Sequence, residues 1–126
     1  MMDAFDIMMV ALKFNVKINQ RDLDGIVELM TDDHTFIDGE GEVHRGREVM
    51  NQGWRDFFAS YPDYRNIFTR VQVVNDLVVM VGYSTCSYEP LGGPALWSAK
   101  VREGHGSEWR VYADTSQNRK EIGITA

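Results

Sequence analysis

Two acidic residues at the ends of predicted strands, Asp38 and Asp114, and one histidine, His34, are the residues whose types and spacing could do chemistry. His34, Phe36 and Asp38 alternate with Thr35 and Ile37, so on a strand all three share one face. A carboxylate turned inward there is desolvated, which raises its pKa and suits it to accept and return a proton. Arg110, Tyr112 and Asp114 share a face in the same way. A metal site built from His34 and Asp38 fails on distance, because positions i and i+4 of a strand lie about 13 Å apart. His34 reads instead as a buried, hydrogen-bonded residue that orients a neighbour. No Cys/His cluster, phosphate-binding glycine loop or nucleophile elbow is present. No metal and no cofactor is expected. His44 and His105 stand in loop contexts and read as solvated, and Cys86 reads as a buried thiol.

Those side chains need elements to hold them. Ala4 to Asn19 is apolar on most sides, which predicts a deeply buried first helix. Asp22 is a good N-cap, and Leu23, Ile26, Val27 and Met30 form the stripe of a short second helix. The strand to Asp38 follows, then a turn-rich Gly39 to Glu42. A third helix is predicted from about Arg47 to Tyr61, stopped by Pro62, with Met50, Trp54, Phe57, Phe58 and Tyr61 as an aromatic-rich stripe. Alternation then predicts strands at Ile67–Val74, Leu77–Tyr88, Ala95–Glu103 and Glu108–Ser116. Asn75-Asp76, Glu89–Pro94 and Gly104–Ser107 make the turns between them. Gln117 to Ala126 reads as a polar tail without periodicity. Helices followed by a long antiparallel meander give an α+β fold. Gly82, in mid-strand, marks a place where the sheet can curl.

Composition sets outer limits. A chain of 126 residues is one domain, 1–126, with enough length for one substantial core. A net charge of −6 argues against nucleic acid and against an anionic membrane as partners. The Ile7–Leu12 run is too short to span a bilayer and lacks the charge pattern of a signal peptide. Cys86 is the only cysteine, which fits a reducing compartment and a cytoplasmic location.

The order of motifs resembles the NTF2-like superfamily, in particular its SnoaL-like (polyketide cyclase) and ketosteroid-isomerase branches. The matching pieces are Asp22-Leu23-Asp24-Gly25-Ile26-Val27, Asp32-Asp33, the strand ending at Asp38, Tyr61-Pro62-Asp63-Tyr64-Arg65, and Trp109-Arg110-Val111-Tyr112-Ala113-Asp114. The resemblance implies a cone in which three N-terminal helices pack into a strongly curved, mostly antiparallel sheet around a pocket. It implies that Asp38 stands where ketosteroid isomerase has its general base, and Asp114 where SnoaL-like cyclases have their acid. It does not extend to the isomerase's oxyanion donors. The tyrosine's place, eight residues before Asp22, is Phe14, which cannot donate, and the second acid's place falls on Trp97 or Ser98.

Two functions therefore stand as expectations. One is a cofactor-free isomerase or cyclase (a lyase) acting on an apolar carbonyl compound, with Asp38 and Asp114 as base and acid and His34 orienting one of them. The other is the same pocket used without turnover, for binding or assembly. In either case Phe14, Trp54, Phe58, Tyr61, Tyr83, Trp97 and Tyr112 are expected to line the site, and at least one acid, Asp38 first, to have a raised pKa. Apolar residues on both faces of the long strands predict a homodimer through the convex face of the sheet.

Overall fold

The computed structural model describes residues 2–124; Met1 and the last two positions of the expected tail, Thr125 and Ala126, lie outside the described residues. Helix α1 (Ala4–Gln20) starts at Asp3, whose carboxylate accepts the Asp6 N–H at 2.9 Å while Asp6 returns the bond to the Asp3 N–H at 3.2 Å. Helix α2 (Leu23–Glu28) is capped by Asp22, which accepts the Gly25 N–H at 3.0 Å. Strands β1 (Met30–Ile37) and β2 (Val43–Arg45) form a hairpin that leads into α3 (Arg47–Ser60). The remaining strands are β3 (Arg65–Val74), β4 (Leu77–Thr85), β5 (Gly93–Arg102) and β6 (His105–Ala113). A short 3-10 turn, Glu89–Leu91, joins β4 to β5.

These strands make one curved, mixed sheet in the order β2-β1-β6-β5-β4-β3. Only the β1–β6 pair is parallel. The first long strand thus lies beside the last and brings the Asp38 end of β1 next to Arg110 of β6. The β3–β4 turn has positive φ at both Asn75 and Asp76, 49° and 66°, as a tight two-residue hairpin requires. Opposite Gly82, the β3 register slips between Phe68 and Arg70. A Cβ on Gly82 would sit 1.9 Å from the Ile67 carbonyl oxygen, so only glycine lets the bulged strand approach.

The concave face of the sheet carries Val78, Met80, Trp97, Ala99 and Trp109, packed on Ile7, Ala11, Phe14 and Ile18 of α1 and on Met50 and Trp54 of α3. The convex face departs from expectation. The expected polar tail folds instead into a fourth helix, α4 (Ser116–Glu121), and Ile122 and Ile124 beyond it are buried against Val79 and Leu96. Thr115 caps that helix by accepting the Asn118 N–H at 3.0 Å. The sheet's outer apolar strip is therefore partly covered by this chain itself. No helix among the described residues is long and apolar enough to cross a membrane.

Candidate functional site

Between α3 and the concave face lies a cavity of about 400 Å³. Its walls are mainly aromatic: Phe36, Trp54, Phe57, Tyr64, Trp97 and Trp109. Val49 and Met50 of α3, Val111 of β6 and Leu91 of the 3-10 turn complete the apolar lining. Asp63 steadies that turn's approach by accepting the Ser87 N–H at 3.0 Å. The rings are locked on one another; Trp54 meets Phe36 and Phe57 edge-on, at 5.8 and 5.7 Å between centroids. The ionisable or amide side chains in the wall are Asp38 and His44 in one place and Asn66, beside Tyr64, in another.

Asp38 lies where the β1 face pattern put it, but its surroundings differ from those expected. Its Oδ1 accepts the N–H groups of Glu40 and Glu42, each at 3.0 Å, and its Oδ2 accepts His44 Nε2–H at 3.2 Å. Burial pushes its carboxyl upward, yet the Glu42 N–H, the His44 ring and the Glu40 N–H together outweigh it. The net direction is down, not the expected rise. The side chain is 30% exposed, so desolvation is only partial.

His44 is the residue missed from sequence. It stands on β2 opposite Phe36, lines the cavity, and pairs with Asp38. A hairpin closing over Gly39 to Glu42 places the second residue of β2 across from Phe36, and that turn was legible. In the neutral ring, donation from Nε2 to Asp38 leaves the lone pair on Nδ1. Asp38, Glu42 and His44 also place one potential ligand atom each within 4.8 Å of one another. Glu42 is exposed and Asp38 Oδ1 is already committed to two N–H groups, so the set fits a hydrogen-bonded turn as it stands.

Asp114 is not brought to the cavity. It is held by Arg119 of α4, Nε to Oδ1 at 2.7 Å and Nη2 to Oδ2 at 3.0 Å. That ion-paired hydrogen bond keeps its carboxyl below the ordinary range. The expected partner, Arg110, lies instead over the Tyr112 ring at 4.6 Å. His34 is fully buried, but it orients neither acid. Its Nδ1–H donates to the Gly106 carbonyl at 2.8 Å, and its ring stacks on Phe14 at 5.5 Å. Burial lowers its pKa and keeps it neutral.

Of the expected lining residues, Trp54 and Trp97 are in the wall. Phe14 lies in the core beneath Trp109, at 4.8 Å. Phe58 packs against Trp54 from outside the lining, and Tyr61 sits between Phe57 and Tyr88. Tyr83 and Tyr112 are on the other face of the sheet, Tyr83 being 42% exposed and Tyr112 bonded to Ser98 at 2.9 Å. The expectation for Tyr112 follows the β6 face that carries Asp114. Its opposite face, with Trp109 and Val111, is the one that looks inward.

With this geometry in view, the likenesses to known proteins are specific about fold. The chain belongs to the family of SnoaL-like domains, which matches residues 12–114. Comparison with curated proteins gives no match. Among solved structures it is similar to an LEH-like epoxide hydrolase of M. tuberculosis, with TM-score 0.76 and 16% identity over 94% of this chain and 90% of that one. It is similar to a cystatin-fold protein of Novosphingobium aromaticivorans, with TM-score 0.73 and 22% identity over 83% and 96% of the two chains. An NTF2-like protein of Cytophaga hutchinsonii gives TM-score 0.68 and 12% identity over 83% and 87%. At such identities the likeness is one of fold.

Proposed function

We propose that this SnoaL-like chain binds a small, largely apolar molecule in the cavity under α3. The observation that carries the reading is the cavity itself, about 400 Å³ with an aromatic wall and with ionisable or amide side chains in only two places. That is the size and lining of a small-molecule site rather than a packing defect. Untargeted mass spectrometry of the purified protein should find an apolar compound retained in molar proportion. Its absence, together with no thermal shift from a panel of small hydrophobic ketones and alcohols, would count against the reading.

Catalysis at the same site is the second reading, and the Asp38–His44 pair favours it. Asp38 is held ionised by its bonds and is a weak proton acceptor for that reason. The working base would be His44 Nδ1, with Asp38 fixing the tautomer. An isomerase or cyclase of carbonyl compounds needs such a base and no cofactor. Exchange of the α-hydrogens of 2-tetralone for deuterium should then exceed the buffer rate and fall at least about tenfold in His44→Gln, the ordinary scale of general-base catalysis being larger still. Exchange at the buffer rate in wild type would leave binding alone.

Pairing of two copies through the convex face and a cytoplasmic location belong to the same proposal. The lone Cys86 supports a reducing compartment. The face available for pairing is the part that α4, Ile122 and Ile124 leave open, around the exposed Tyr83. Light scattering at micromolar concentration should give twice the mass of one chain, and a monomer mass would remove the dimer.

A further inference from the structure

The second polar place in the wall, at Tyr64 and Asn66, has no part in proton transfer, and its hydrogen-bond directions can be worked out. Both residues are buried and both line the cavity. Asn66 Oδ1 has no hydrogen to give, so Ser84 Oγ donates its only proton to it, at 2.9 Å. The 3.1 Å contact between Tyr64 Oη and Ser84 Oγ must then run from tyrosine to serine. Burial pushes the Tyr64 phenol upward, so that proton stays on the tyrosine. Asn66 Nδ2 gives one hydrogen to Asn15 Oδ1 at 3.2 Å. Two capacities are left over, a lone pair on Tyr64 Oη and the second hydrogen of Asn66 Nδ2, and among the described residues they meet only each other, in a side-chain contact that a ligand group could replace.

We propose that this end of the cavity holds the hydroxyl group of an apolar alcohol, which donates to Tyr64 Oη and accepts from Asn66 Nδ2. A ketone can use only the asparagine. An ether accepts but cannot donate, and a carboxylate would set negative charge against the tyrosine lone pair. A hydroxyl does both jobs at one atom. Along the sheet the site is also separated from the Asp38–His44 pair. β1, which leads to Asp38, and β3, which carries Asn66, are separated in the sheet by β6, β5 and β4. Four strand steps cover roughly 19 Å on a flat sheet, and curling shortens the direct path. The ligand is therefore an apolar body with a hydroxyl at one end, its other end directed to the acid–histidine pair. This rests on the cavity being a ligand site and names the class of ligand.

Titrating the protein with tetralin, 2-tetralol and 2-methoxytetralin, followed by tryptophan fluorescence, separates the two claims. The alcohol should bind at least about tenfold more tightly than tetralin, or ~1.4 kcal/mol. The ether, which can accept from Asn66 but cannot donate to Tyr64, should fall between tetralin and the alcohol, a comparison that needs no variant. In Tyr64→Phe the alcohol's advantage should shrink to about twofold while the Kd of tetralin is unchanged. Tetralin binding with no preference for the alcohol, or an ether that binds as well as the alcohol, would overturn the hydroxyl site and leave the apolar pocket standing. If none of the three binds up to its solubility, the pocket and the hydroxyl site fall together.

Discussion

Asp38 and His34 show how far a single side chain's role depends on partners that are distant in sequence. The alternation of β1 was enough to place Asp38 at the cavity. It could not reveal that the Glu40 and Glu42 N–H groups and His44 would hold the carboxylate in its charged form. Those partners come from closure of a hairpin, which is a property of the β1–β2 pairing. Carboxyl-carbon NMR should accordingly find Asp38 titrating below about 3.9, the ordinary aspartate value. A midpoint above that value would restore the desolvated base expected from sequence. His34 makes a prediction of opposite chemistry and the same sign. Its folded pKa lies below its ordinary value of 6.5 because burial disfavours the charged ring. Below that pH the unfolded chain binds the extra proton first, so the stabilisation is complete above about 6.5 and is lost as pH falls toward the folded value. Urea denaturation should show this loss between pH 7 and pH 5 in wild type, and the slope should flatten in His34→Phe. That variant should also be about 1–3 kcal/mol less stable at pH 7, since the Gly106 carbonyl loses its donor.

At the scale of elements, the long helices and strands were legible because their periodicities run over many residues. Helix α4 was not, because six residues carry less than two turns of pattern and its apolar anchors, Ile122 and Ile124, lie beyond its end. Nor was the clamp that fastens α1 to the sheet. β3 is an edge strand, and its Asn66 would have an unpaired backbone there. Asn19 supplies both partners, accepting the Asn66 N–H and donating to its carbonyl, each at 2.9 Å. This is a side chain acting as a short extra strand. Asn19→Ala should therefore cost about 1–3 kcal/mol, read as a lowered denaturation midpoint with unchanged m-value. It should also weaken alcohol binding through displacement of Asn66. A variant as stable as wild type would mean that solvent replaces the clamp at no cost.

For the molecule as a whole, the fold follows from one topological choice. The parallel β1–β6 pair carries the end of the first long strand into the concave side of the meander, where α3 roofs it. A cavity results because large rings brace the walls apart: Trp54, Trp97 and Trp109 belong to three different elements and all face inward. The helical stripe marks Trp54 and strand alternation marks Trp97 as wall residues, whereas Trp109 falls on the face opposite the one that Asp114 singles out. Occupation of this cavity by a small apolar molecule is the central claim, and methyl NMR tests it where it would happen. With methyl-labelled Met, Leu, Val and Ile, saturating 2-tetralol should shift the signals of Met50, Leu91 and Val111, which line the cavity, and give direct contacts from the ligand to them. Val79, Leu96 and Ile122, on the convex side, should stay in place. Shifts confined to that convex cluster, or no ligand contacts to Met50 and Val111 at saturation, would show that the cavity is not the binding site.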